Sequence, residues 1–542
     1  MNNPKTKQVG LALLFASLTV ASTSAYADGY ENVPAGSRTA AMGGAGIAAG
    51  WDSAMPLLNP AGLALIPNSV ASLSASLYQT SVVSIENYVA DGNTIPSRWG
   101  DLRLTEPGVE SVEFGSFPSG LAYFYHVGSS ELPMTLAASL SVPRHINRRF
   151  ILNTEFSGDP NGQAFGVSVS DNITTIVFEE QYVAALSWAM ALKNLRVGAS
   201  LLTSYTTYAR SSDRSQLTAL GTANFLRELV KEATFIDSFD VGAIAGVQYR
   251  ATDWLGLGLS VRTPSFHVHG TLDKSVDYTR IESGAEPLIM VDQLIGKSDT
   301  ARGFPMKIGA GVTIHGDSWS LALDGQYFRP RQNEFRLVGT SINSSIGGQD
   351  AATDRTSQVD ASPKRVNVFN FALGFEYALT DSNWLRAGVF SEGTADQQAD
   401  IAVQNLPRVS PEFLFTFPID RYGASLGLGT KLGPIDTTVG VRTTFGRGGT
   451  PRYAPEKIFF GNSERFLDTT PATVIDTVVF ISAAVDVSVE TQKVKVRTTP
   501  TEGTPIEVTI EKEAPTEEKP SSKTEESSQP QSSSDAPKGE QS

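Results

Sequence analysis

Several patterns in this 542-residue chain hold residue types that could do chemistry. Gly423-x-Ser425-x-Gly427 matches a nucleophile elbow. That chemistry needs a sharp strand-to-helix turn under the serine, and here an alternation of small and apolar residues runs straight through Ser425, which reads as a small residue on one strand face. Gly44-x-Gly46-x-x-Ala49 fits a dinucleotide fingerprint, but no strand precedes it in the mature chain and no strand–helix–strand unit follows. His267 and His269 share a strand face and could supply two metal ligands. No other His lies nearby and the chain has no Cys, so neither a metal nor a cofactor is assigned, and the chain is read as a non-enzyme. More informative are Arg262, Arg386 and Arg442, each a guanidinium set into an otherwise apolar, alternating segment, where it could meet a carboxylate.

The elements that must hold these residues are strands. From residue 69 onward about fourteen segments alternate with period two, among them 254–270, 302–315, 365–379, 421–432, 435–447 and 473–489. Parity sorts their side chains: Leu255, Leu257, Leu259 and Val261 share one face, and Gly256, Gly258, Ser260 and Arg262 the other. Phe371, Leu373, Phe375 and Tyr377 likewise oppose Gly374 and Glu376. The connections alternate too. "GSSE", "KN", "ATD", "GD", "TDS" and "GP" are short, and the links between them run long.

Short turns at one end and long loops at the other are the signature of an outer-membrane barrel with an even strand number, and fourteen strands put both chain ends on the short-turn, periplasmic side. Lipid would wet the apolar face, which places Arg196, Asp240, Gln248, Arg262, Asp324, Gln326, Glu376, Arg386 and Arg442 inside. The alternative architecture is a two-sheet sandwich with these residues in water. In the long loops, Leu217, Leu220, Phe225, Leu226 and Leu229 recur at helical spacing, predicting a short amphipathic helix within 214–232, and "PLIMVDQLIG" within 273–299 carries a weaker pattern of the same kind.

The chain begins with Lys5 and Lys7, an apolar run over 9–20 and Ala25-Tyr26-Ala27, which together predict a signal peptide over 1–27. Residues 36–67 are rich in Gly and Ala, with Pro56, Pro60 and Pro67 and only Arg38 and Asp52 charged. Such a stretch is a poor strand and a poor helix, and suits a compact plug inside something hollow. In the triplet Asn59-Pro60-Ala61, proline fixes its own φ and pushes Asn59 to an extended conformation, where the amide can bond neighbouring backbone; Ala61 leaves room against a wall. The triplet also reads simply as the turn into the first strand.

The Gly/Ala-rich N-terminus closed by Asn59-Pro60-Ala61, followed in order by "WLGLGLSVRTPS" from Trp254, "FPMKIGAGV" from Phe304, "FALGFEYALTDSNWLRAGVF" from Phe371 and "IDRYGASLGLG" from Ile419, resembles the FadL family of outer-membrane transporters of long-chain fatty acids and other hydrophobic compounds. The resemblance implies an all-β transmembrane antiparallel barrel of about fourteen strands over 69–489, with an N-terminal hatch over 28–68 inside the lumen. It implies a monomer, set among outer-membrane lipid and lipopolysaccharide, that admits hydrophobic cargo passively. Arg262, Arg386 and Arg442 are then the inward candidates for a cargo carboxylate. A polar-solute porin and a secretion-associated barrel are the alternatives.

After residue 489 the composition turns polar and charged, predicting a disordered periplasmic tail over 490–542 whose partner is unknown. The last strand is then internal to the chain, with Phe480 its clearest aromatic. A net charge of −14 makes nucleic acid an unsuitable partner.

Overall fold

The structure, a computed structural model, describes residues 31, 36–48, 50–86, 109–128, 132–158, 167–220, 224–283, 288–298, 303–330, 337–346, 353–359, 366–394, 419–451 and 469–487. The predicted signal peptide, the tail over 490–542 and Ala49 lie outside the described residues.

Eighteen strand segments form one antiparallel sheet. In chain order they are β1 (Val70–Ile85), β2 (Val109–Gly128), β3 (Pro133–Gly158), β4 (Val167–Leu192), β5 (Leu195–Leu220), β6 (Asn224–Arg250), β7 (Leu255–Arg262), β8 (Phe266–Glu282), β9 (Leu288–Ser298), β10 (Met306–His315), β11 (Trp319–Arg329), β12 (Leu337–Ile346), β13 (Thr353–Val359), β14 (Val368–Thr380), β15 (Asn383–Glu392), β16 (Arg421–Leu432), β17 (Ile435–Pro451) and β18 (Thr469–Asp486).

Four pairs of segments follow one another along the same track. β7 and β8 both pair with β6. β10 and β9 pair with them in turn, then β11 and β12, then β14 and β13. The wall therefore has fourteen strand positions. β18 pairs with β1, from Val70↔Asp486 to Ile85↔Ala472, and closes it. This agrees with the expected strand number and makes 469–486 the final strand.

The segment read as one strand over 254–270 is broken at Thr263-Pro264-Ser265, because proline has no N–H for the ladder. Ser265 instead donates its N–H to the Phe304 carbonyl at 3.0 Å. A second break has the same cause. β2 and β3 pair from Gly128↔Pro133 only as far as Gly120↔Ser141, next to Pro118 and Pro143, and beyond that point β2 bonds β1 and β3 bonds β4.

The helix predicted within 214–232 is absent: β5 and β6 run on as a hairpin, with Leu217 opposite Arg227 and Ser215 opposite Leu229. Cross-strand pairing satisfies every backbone group along both arms, and this outweighs a local helical period. The pattern within 273–299 is also strand, β9, paired on β8.

The outer face is apolar. On β7, Leu257, Leu259 and Val261 are 39%, 50% and 40% exposed, while Ser260 and Arg262 on the other face are 2% and 4% exposed. Tyr422, Leu426, Leu428 and Leu432 continue the outward row on β16. The band ends where outward Tyr182 and Tyr205 donate their hydroxyls to Glu180 and Asp237, at 2.5 and 3.0 Å. Aromatic rings at such a boundary sit with one end in hydrocarbon and the other in water.

Candidate functional site

Residues 36–66 lie against the inward face of this wall. They form α1 (Arg38–Ala41), α2 (Met55–Leu58) and the 3-10 helix η1 (Pro60–Leu65), all short and nearly wholly buried. Asn59 is extended, with φ −156° and ψ 98°, as a residue before proline must be. Its Oδ1 accepts the Ala61 N–H at 3.2 Å, and its Nδ2 donates to the carbonyls of Ile47, at 2.7 Å, and Val247 on β6, at 3.2 Å. Pro60 opens η1 and lies against Gly198 of β5.

Inward glycines make this approach possible. A Cβ at Gly198 would lie 2.5 Å from the Pro60 carbonyl carbon, one at Gly258 2.3 Å from the Ile47 oxygen, and one at Gly388 2.3 Å from the Met42 carbonyl carbon. The alternation of glycine with leucine in the sequence is thus a record of two surfaces, lipid outside and packed backbone inside.

Wall carboxylates hold the segment. Asp324 accepts the N–H groups of Gly46 and Ile47 at 2.6 and 2.8 Å. Glu376 bridges Arg38 of the segment, at 3.0 Å, and Arg386 of β15, at 2.7 Å. Within the segment, Asp52 accepts from Thr39 N and Thr39 Oγ1 at 2.7 and 2.9 Å. Gln248 of β6 donates to the Ile47 carbonyl at 3.2 Å.

The sequence-predicted arginines are all inward and all buried, but the fold does not bring them together. Arg386 pairs with Glu376 and donates to Thr438 Oγ1 at 2.9 Å. Arg442 pairs with Glu392 and lies over the Phe390 ring, 3.7 Å from its centroid. Arg262 stacks on Phe304 at 5.1 Å and pairs with Glu31 at 2.5 Å. Each cation therefore has an internal carboxylate.

Lys307 is the residue that sequence reading passed over. It is the register partner of Arg262 across β7 and β10, and its Nζ reaches the other oxygen of Glu31 at 2.9 Å. A signal was available, since Lys307 interrupts "FPMKIGAGV" with the inward parity of the following glycines. Burial pushes the Glu31 carboxyl upward, but the Lys307 and Arg262 charges outweigh it and hold the group down at about 2.

Ser425 donates to the Ala41 carbonyl at 2.8 Å from the middle of β16, so it has neither the elbow nor a base. His267 pairs with Asp240 at 3.5 Å, and no cluster of metal-ligating side chains occurs among the described residues. Phe480 turns inward, buried against Ala40 and Ala41.

A closed antiparallel sheet that is apolar outside and polar inside, with short turns at one end, is an outer-membrane-type β-barrel that crosses the bilayer many times. No family model and no curated protein sequence matches the chain. Among solved structures, a Pseudomonas aeruginosa FadL homologue covers 85% of this chain and 100% of its own, with a TM-score of 0.51 at 15% identity. The P. putida toluene transporter TodX covers 85% and 100%, with a TM-score of 0.50 at 13% identity. The chain thus has the FadL/TodX-type barrel fold.

Proposed function

We propose that this barrel takes hydrophobic compounds, long-chain fatty acids among them, passively across the outer membrane, with residues 36–66 acting as the hatch. The observation that carries the reading is a lumen occupied by a segment tied to the wall through Asp324, Glu376 and Asn59. A sugar or ion pore needs a continuous wet channel, whereas cargo passing a packed segment must bind and displace it. The similarity to a FadL homologue and to a toluene transporter supports the same reading.

Where the β2–β3 ladder stops, Ser74, Ser119, Gly120 and Ser141 face Gly36 and Ser53 of the hatch across a crevice too tight for a water molecule. A shift of the hatch would widen this crevice toward the wall, giving apolar cargo a lateral way out. Both chain ends lie on the periplasmic side in this reading.

Proteoliposomes test it. Uptake of labelled palmitate or toluene without swelling in sucrose is the expected result, and sucrose permeation without uptake of either would establish a porin.

A further inference from the structure

Besides the gap between β2 and β3, the wall is interrupted between β7–β8 and β10–β9. Pairing of β7 with β10 ends at Arg262↔Lys307, and pairing of β8 with β9 starts only at Leu272↔Ser298. Among the described residues one backbone hydrogen bond crosses this interval, from Ser265 N–H to the Phe304 carbonyl at 3.0 Å. Pro264 and Pro305 flank it on its two sides, and neither has an N–H with which to close it. Register sets its height. Thr263 donates to the Ala243 carbonyl and Phe266 pairs with Val241, both short of the level of Phe239 and Tyr205, where the apolar band ends. The interval therefore lies against hydrocarbon at the outer edge of the membrane, and Phe266 and Val268 beside it are 64% and 57% exposed.

An apolar strip leads from this interval across the inside of the wall to the β2–β3 gap. The Phe304 ring lies on Gly242 of β6, where an added Cβ would meet it at 2.5 Å. Gly242 is opposite Leu202 of β5, which is opposite Ala185 of β4. Phe304, Ile244, Leu202, Ala185, Val183 and Leu57 of the hatch form one buried cluster. Ala185 and Val183 pair in turn with Ser139 and Ser141, and Ser141 lines the crevice at the β2–β3 gap. Beyond the strip, away from the short turns, the inward wall is polar: Gln181 donates to Thr206 at 3.3 Å, Arg144 pairs with Glu179 at 3.0 Å and Lys274 with Glu232 at 2.8 Å. Hydrocarbon is stabilised by leaving water for apolar surface, and such a wall offers it none.

We propose that the interval between Ser265 and Phe304 is a side port, through which neutral hydrocarbon dissolved in the outer leaflet enters the apolar strip and crosses inside the wall to the β2–β3 gap. This rests on the transport reading and adds the point of entry and the source of the cargo, which is lipid and not water. Cargo on this path keeps apolar surroundings from end to end, so no step exposes it to water. Phe304 is the side chain it must pass, and one apolar contact is exchanged there for another.

Hexadecane bearing a diazirine is dissolved in the lipid of proteoliposomes holding the full-length protein and photolysed, and adducts are located by mass spectrometry. They are expected at inward Leu202 and Ile244 as well as at outward Phe266. Ser265→Cys with Gly303→Cys closes the port. An added Cβ at 303 lies 2.6 Å from the Ser265 Cβ, so a small relaxation reaches the about 3.5–4.5 Å that a disulfide spans, and the chain has no other Cys. Oxidation should abolish the inward adducts and leave Phe266 labelled, and reduction should restore them. Phe304→Ala, made without the cysteines, should raise labelling at Leu202; heat-modifiable migration checks the folding of both variants. Inward adducts that survive the oxidised pair, or that do not respond to Phe304→Ala, would overturn the port. If the parent still takes up labelled palmitate in that case, transport stands and only the port falls; a parent with neither uptake nor inward adducts fails both.

Discussion

Residue 31 and residues 36–66 are held to the same wall by different bonds, and the difference separates a hold made by ions from one made largely by backbone. The longer segment is tied by its backbone as well as by the Arg38–Glu376 ion pair: Asp324 takes the Gly46 and Ile47 N–H groups, Asn59 donates to Val247, and wall glycines let its backbone come close. Among the described residues, residue 31 is tied by ions, its carboxylate between Arg262 and Lys307. A backbone amide stripped of its partner inside a barrel has nothing to replace it. An ion pair, in contrast, can be traded for another anion of the same charge.

The bluntest way to break this contrast is to delete residues 36–58. If the fixed part is the plug, the barrel still inserts, ion conductance rises and selective uptake is lost. Unchanged conductance in planar bilayers would show that the segment blocks nothing.

Arg386→Ala should come next in size. It leaves Glu376 with Arg38 alone, so the loss should stay below the ~3–5 kcal/mol that stripping a buried ion of its sole partner costs. Hydrogen exchange over 36–48 should rise while the barrel keeps its heat-modifiable mobility, and no change would mean that this ion pair does not hold the segment.

A smaller displacement is expected from Gly258→Leu, whose Cβ would sit 2.3 Å from the Ile47 oxygen. Overpacking of this kind costs about 1–3 kcal/mol, and should appear as faster exchange at Gly46 and Ile47 with uptake reduced.

The smallest effect is the titration of Glu31. Its folded value of about 2 lies below the ordinary 4.5, so its hold on the wall is fully present above about pH 4.5 and is lost as the pH falls toward about 2. The groups facing it are Lys307 and Arg262. A carbon-13 carboxyl titration should show the depressed midpoint, and a midpoint at or above 4.5 would mean that residue 31 is not clamped.

Much of the barrel was legible because side chains on a strand repeat every two residues and the two faces meet different solvents. Leu257 and Leu259 against Gly258 and Ser260 assigned lipid and lumen without coordinates, and that parity placed Arg262, Arg386 and Arg442 correctly inside. Short turns such as Lys193-Asn194 and Gly433-Pro434 were readable too, and in the structure Lys193 and Gly433 take the positive φ, 53° and 62°, that such tight connections require.

What the amino-acid order could not contain is who meets whom across the barrel. Leu217, Phe225 and Leu229 keep a helical spacing, and only the register of β5 against β6 turns that stretch into a hairpin. The polar segment β12 becomes a strand because β9 offers it an edge, and β13 because β12 offers the next one. Glu31 and Lys307 are 276 residues apart, so nothing local announces their contact. Period, parity and turn chemistry are properties of neighbours along the chain and can be read there; the pairing of charges inside the lumen depends on closure of the wall, which only the tertiary structure decides.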